Sequence, residues 1–412
     1  NGRKNKSTSN LKIYLMKKID RYLSFYLLIL ISFSYFFLFV KHQVGNDSTI
    51  SEWFINYEGG FTKRGIIGQI AIELSRYFES NLRWVIFLLQ SLAYSIYFLL
   101  LYYLIKNLRY ERVIILSIFT PIFVLYPIAE IEVLARKEII VFSLFIIYLL
   151  IPRNNNFKLL SFVIFSILGM LVWEPIIFFY PLILIYLIID NNIKKFDINF
   201  FKIILSFVPS LVIASIFIFN PLTEDEHALM ALILKNEFGQ TCYMSCGLLI
   251  SKSTIIQQFE GNYGRYSLEV FVRYFLIIFI GFFPLITLIK NSSLRSKDIL
   301  FFRFFKNPVS LFYISLAPVI LLFAMGFDWG RWVNITYVIL ALIYFKLLLD
   351  KHFILNYENL KKGLLYKIKG KLFVFFFIMF SFGWNPKTVI TGDVASFPGY
   401  RVPYKVFKIL SN

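Results

Sequence analysis

The chain has 412 residues, of which 58% are hydrophobic, 20% aromatic and only 16% charged. A soluble domain is about a quarter charged, so an ordinary water-soluble globule is excluded. The apolar residues run in solid Phe/Ile/Leu stretches of membrane-spanning length, which selects a polytopic helical membrane protein over a β-barrel, whose strands alternate in polarity.

In chain order, the first apolar run, 22–40, follows Lys17, Lys18 and Arg21. It is long enough to remain as a span rather than be cleaved as a signal peptide. Further spans are expected near 85–105, 113–126, 139–151, 159–173, 176–189, 203–219, 268–289, 309–325, 333–349 and 372–384, about eleven transmembrane helices in all. Residues 156–189 are too long for one crossing and short for two. They read as two short helices whose junction, Trp173-Glu174-Pro175, lies below the outer membrane surface. Pro127 breaks the 113–151 stretch, and residues 129–151 are expected as a helix with Glu130, Glu132, Arg136, Lys137 and Glu138 on its outer turns.

With a cytoplasmic N-terminus, the inner segments hold 26 of the 43 Lys and Arg but 7 of the 24 Asp and Glu. The net charge of +19 is then the positive-inside rule at work, and a nucleic-acid surface loses its support. The outer parts are the loops 41–83, 127–138, 220–267 and 326–332 and a tail, 385–412. The whole chain, 1–412, reads as one integral membrane domain. In the first loop Ile66, Ile67, Ile70, Leu74, Tyr77 and Phe78 fall on one helical face and Gln69, Glu73 and Arg76 on the other. That pattern predicts an amphipathic helix lying in the interface plane.

Six places invite a chemical reading. Gly59 to Gly65 puts glycines, Lys63 and Arg64 directly before a helix start, where backbone N–H groups and the helix dipole favour anions and Arg can grip phosphate oxygens in a fork. Contact with lipid headgroups is the plainer account. Arg136 and Lys137 crowd outer turns with Glu130, Glu132 and Glu138; an i, i+4 pair between Glu132 and Arg136 explains two of them, and substrate contact by Arg136 or Lys137 would explain more. Glu174, between Trp173 and Pro175 at a helix break, must be paired, face a cavity or be neutral, and a perturbed carboxylate in a cleft is a natural general base. Asp328 and Arg331, each followed directly by a tryptophan (Trp329 and Trp332), form either a cap with a salt bridge or a site for sugar or phosphate with Trp329 for stacking. Glu224, Asp225, Glu226 and His227 read as a solvated loop face without metal-site spacing. Cys242 and Cys246, outside the membrane, leave a local disulfide open.

The set Glu58-Gly-Gly-Phe-Thr-Lys-Arg-Gly-Ile-Ile-Gly68, Arg136-Lys137-Glu138, Trp173-Glu174 and Phe327-Asp328-Trp329-Gly330-Arg331-Trp332 resembles bacterial polysaccharide polymerases of the O-antigen (Wzy) type. The resemblance implies a GT-C-like glycosyltransferase in the bacterial inner membrane with a periplasmic active site. Such an enzyme joins undecaprenyl-pyrophosphate-linked glycans, with membrane lipids around it and a chain-length regulator as a candidate partner. In that setting Glu174 or Asp328 deprotonates the acceptor hydroxyl. Lys63, Arg64, Arg136, Lys137 and Arg331 bind the pyrophosphate, with Trp173 and Trp329 beside the sugar. No cofactor or metal is needed, because arginines take the metal's role. The competing expectations are another GT-C enzyme using a lipid-phosphate sugar donor, with Asp47, Glu52 and Glu58 in its first outer loop, and a flippase for lipid-linked oligosaccharides.

Overall fold

The computed structural model describes residues 2–45, 47–153, 157–242, 244–250, 254–296, 298–302, 305, 308–390 and 409–411, with side chains from residue 19 onward except that of residue 244. Residues 391–408, most of the expected outer tail, lie outside the described set. The chain is mainly helical. Among the described residues five helices are apolar and long enough to cross a membrane: Ile19–Val44, Leu82–Ile105, Ile198–Phe219, Leu268–Lys290 and Trp329–Leu349. A sixth unit, Pro308–Ser315 with Val319–Met325, bends by 42° at a break containing Pro318. Shorter apolar helices span Glu138–Leu150, Lys158–Val172, Tyr180–Asp190 and Gly370–Phe382.

The outward faces follow helical spacing. Trp84, Leu88, Leu92, Ile96, Leu99 and Tyr103 form an exposed apolar stripe along one helix, as a lipid-facing surface requires. The Trp329–Leu349 helix has no such stripe. It is buried along nearly its whole length and forms the axis on which the others pack. Asn334 donates to the Ile122 and Phe123 carbonyls at 2.9 and 3.2 Å, and the Tyr337 hydroxyl to that of Ser117 at 2.7 Å. These bonds satisfy the backbone where the 112–126 stretch leaves helical geometry. That stretch is not the single helix expected: it is helical over Arg112–Phe119, then turns, and resumes at Tyr126–Ala129.

Outside this bundle, the first loop and the long 220–250 segment pack on each other over two small apolar cores. Ile50, Trp53, Phe54, Ile72 and Leu234 form one; Ile55, Leu222, Met230 and Cys246 form the other. Glu224–Phe238 is a helix, not the solvated loop expected, with Thr223 and Glu226 closing a capping box and three acidic residues on its first turn. Cys242 and Cys246 are joined in a disulfide. The one sheet among the described residues pairs β1 (Ser292–Leu294) antiparallel with β2 (Phe353–Leu355).

Candidate functional site

The loop that follows the Ile19–Val44 helix is built to drive a carboxylate inward. Asp47 caps the turn Ser48–Ser51, accepting from the Thr49 and Ile50 amides at 2.8 and 2.9 Å. The chain tightens into a 3₁₀ turn, Glu52–Phe54, that points Glu52 into the interior, where it is 0% exposed. Tyr57 then packs over Gly65 so closely that a Cβ at Gly65 would strike the ring. Arg64, immediately before the Gly65–Tyr77 helix, takes the left-handed conformation with φ 63°. For a residue with a Cβ this costs about 1–2 kcal/mol.

Its contacts explain why the strain persists. Lys137 donates from Nζ to the Arg64 carbonyl at 2.6 Å. The Arg64 guanidinium forks onto Glu174, with Nε and Nη2 each 2.7 Å from a carboxylate oxygen, and its Nη1 reaches Glu52 at 3.0 Å. Arg136 takes the other Glu52 oxygen at 3.3 Å. Arg331 grips Glu138 through two nitrogens and Asp328 at 3.2 Å. Hydrogen bonds thus gather Arg64, Arg136, Lys137 and Glu174 about Glu52, and Glu138 and Asp328 about Arg331; the two groups, drawn from distant parts of the sequence, lie close enough for Arg331 to act on Glu52 and Glu138 on Arg64, and Lys63 lies close enough to feel Glu174.

The electrostatics follow from burial against charge. Burial opposes ionisation of Glu52, but Arg64, Arg136, Arg331 and Lys137 outweigh it and hold its pKa down to about 2. Glu174 is likewise opposed by burial and held below the usual carboxylate range by Arg64 and Lys63. Lys137 goes the other way. Burial pushes its amine down to about 7, with Glu52 pulling back and Arg64 adding to the fall. Burial also lowers Lys63, against the pull of Glu174. The rim holds Arg64, Arg136 and Glu174, and Glu174 keeps 23% of its side-chain exposure. Several buried polar atoms here have no hydrogen-bond partner among the described residues: Arg136 Nε, Glu138 Oε2 and the indole nitrogens of Trp173 and Trp332.

Four expectations are corrected. Residues 130–137 are not helical: Ala135 has φ 75°, the helix starts at Glu138, and Arg136 pairs with Glu52 instead of Glu132. Lys137 is fully buried and engages backbone, so it is not placed to touch substrate. Trp329 is no open stacking platform: Tyr266, Phe271, Tyr274 and Phe323 surround it at ring distances of 5.3–5.7 Å, and its indole donates to the Phe323 and Gly326 carbonyls. Trp173 is 0% exposed and packs on Trp332 at 6.3 Å. Sequence reasoning left Glu52 and Glu138 out of the candidate site. A signal for Glu52 existed, a lone carboxylate inside the apolar run Ile50-Ser-Glu-Trp-Phe-Ile55.

The start of the tail belongs to this region. The Gly330 amide donates to Thr388 O at 3.1 Å and the Ile390 amide to Phe327 O at 3.0 Å, while Lys387 lies 3.4 Å from Glu130. A side chain at Gly330 would run into the Lys387 carbonyl. Residues 387–390 therefore lie on the same side of the bundle as the charged network. No family model, no curated protein and no solved structure matches this chain.

Proposed function

We propose that the chain is a membrane glycosyltransferase of GT-C-like architecture, a polymerase that joins undecaprenyl-pyrophosphate-linked oligosaccharide units on the periplasmic face of a bacterial inner membrane. The observation that carries this reading is the fork of Arg64 on Glu174, held by a strained backbone at the rim of a buried charge network. Strain kept at such a place marks function more often than packing. In this reading about eleven segments cross the membrane, the shorter helices pairing with the five long ones, and the N-terminus is cytoplasmic.

The chemistry is an exchange of partners. A lipid pyrophosphate docks against Lys63, Arg64 and Arg136 and draws the Arg64 fork off Glu174. The freed carboxylate, no longer held acidic by the guanidinium, then accepts the proton of the acceptor hydroxyl. The acceptor oxygen bonds to the anomeric carbon as that carbon's bond to the pyrophosphate oxygen breaks. The departing diphosphate carries its charge away against the cations. Asp328, tied to Arg331, is the second carboxylate within reach. Arg331 and Lys137 hold the network together from beneath.

One observation favours a second reading, transfer of a single sugar from a lipid-phosphate donor. Glu52, an acidic residue of the first outer loop, stands at the centre of the network. Incubating the purified protein with lipid-linked repeat units separates the two: a ladder of lengths supports polymerisation, and one discrete product supports simple transfer. Arg64→Ala and Glu174→Gln should each cut polymer formation by about 10²–10³ while leaving expression and folding intact. Normal ladders from both variants would remove the proposed site.

A further inference from the structure

A second cluster lies at the other end of the bundle and owes nothing to the polymerase reading. Two helices run from near one cluster to near the other. The Tyr180–Asp190 helix begins six residues after Glu174 and closes on Asp190, and the Trp329–Leu349 helix holds Arg331 in its first turn and runs into Asp350 and His352. At 1.5 Å per residue the latter helix separates the two groups by about 30 Å.

Asp190 is fully buried there. Its Oδ2 accepts from Lys158 Nζ at 2.6 Å, but its Oδ1 accepts no hydrogen bond among the described residues. A buried carboxylate oxygen without a donor is costly and calls for a partner. His352 stands beside that oxygen, with Nε2 at 3.7 Å. Ligand atoms of Asp190, Asp350 and His352 all lie within 4.8 Å of one another. The backbone holds the imidazole in place: the His352 amide donates to Leu347 O and its carbonyl accepts from the Arg295 amide, each at 2.9 Å, beside the β1–β2 pair.

We propose that Asp190, Asp350 and His352 bind one divalent cation of the zinc type, clamping the end of the Trp329–Leu349 helix to the end of the Tyr180–Asp190 helix. Two carboxylates and one imidazole, with water as a fourth ligand, are a donor set that Zn²⁺ accepts. Bonds of about 2.0–2.1 Å in tetrahedral geometry bring ligand atoms to about 3.3 Å apart. The contraction falls on Asp350, which is exposed just past the helix end. Lys158 holds one Asp190 oxygen and Lys346 holds Asp350 Oδ1 at 3.1 Å, the way outer partners orient carboxylate ligands. Those two lysines also balance the two carboxylates. Net charge therefore gives an incoming ion little attraction, and the imidazole bond makes the difference, favouring Zn²⁺ over Mg²⁺.

The test uses the full chain, tag-free, in detergent and stripped of metal, titrated calorimetrically with ZnCl₂ and separately with MgCl₂. One Zn²⁺ per chain is expected, with a rise in melting temperature and much weaker Mg²⁺ binding. His352→Ala and Asp350→Asn, both at the rim, should each weaken Zn²⁺ binding about tenfold or more, whereas Lys346→Met should strengthen it by relieving charge. The proposal is overturned if the folded wild-type protein takes up no Zn²⁺, if Mg²⁺ binds equally well, or if His352→Ala leaves the isotherm unchanged. Elution of each variant as a monodisperse peak establishes that it is folded.

Discussion

Arg64 and Lys137 show at the level of single residues what the network asks of its members. Arg64 accepts an unfavourable backbone so that its guanidinium can serve two carboxylates, and Lys137 forgoes solvent to hold the Arg64 carbonyl. The lysine's depressed pKa has a consequence of definite sign. In the fold the amine loses its proton near pH 7, whereas in the unfolded chain it does so near its ordinary value of 10.5. Between these values the unfolded state binds more protons, so folding stability rises as pH goes from about 7 to about 10.5. Lys137→Met should flatten that rise relative to wild type, as read from melting temperatures in detergent across the window; parallel pH profiles for the two proteins would refute it. Glu52 gives a slope of the same sign in a lower window. Its contribution is present above the ordinary carboxylate value near 4.5 and is lost as pH falls toward about 2.

The Gly65–Tyr77 helix is the element that periodicity predicted. Ile70, Tyr77 and Phe78 of its large apolar face are exposed, and the face that packs inward is Gly68, Ala71, Ile72 and Ser75, which the apolar pattern did not single out. Small residues let the helix approach the backbone of Trp53 and Ile55, and a Cβ on Gly68 would meet the Ile55 carbonyl. That close approach holds the Glu52 turn in place. Gly68→Val should therefore cost about 1–3 kcal/mol through overpacking and reduce polymer formation with it. Ile70→Val on the exposed face should stay within about 0.5 kcal/mol. Thermal melts of the two variants beside wild type measure the contrast, and equal melting temperatures would contradict the packing argument. The 130–137 loop teaches a related lesson. Charge spacing suited to a helix pair was present, but Trp53 donates to the Ala135 carbonyl and Glu52 draws Arg136 across, so tertiary partners overrode the local pattern.

At the scale of the whole molecule, charge and apolarity divide by end. The proposed orientation places the basic 190–202 and 290–306 segments in the cytoplasm and the Glu224–Phe238 helix in the periplasm. Alkaline phosphatase fused after residue 238 should be active and after residue 195 inactive, with fluorescent-protein fusions giving the reverse. The opposite pattern would invert the site and end the periplasmic reading.

Composition and apolar run length were enough to establish a helical membrane protein, because burial in lipid demands unbroken hydrophobic stretches that any reader of the chain can count. The helix break at Pro175, the helix after Arg64 and the pairing of Asp328 with Arg331 were legible for the same local reason, whereas 309–325 read as one span and its bend at Pro318 was not foreseen. Which carboxylate meets which cation was not. Glu52 with Arg64 and Arg136, and Glu138 with Arg331, are joined only when distant segments pack. An ion pair between segments leaves no periodic trace in sequence, since its energy comes from the low-dielectric space that folding creates.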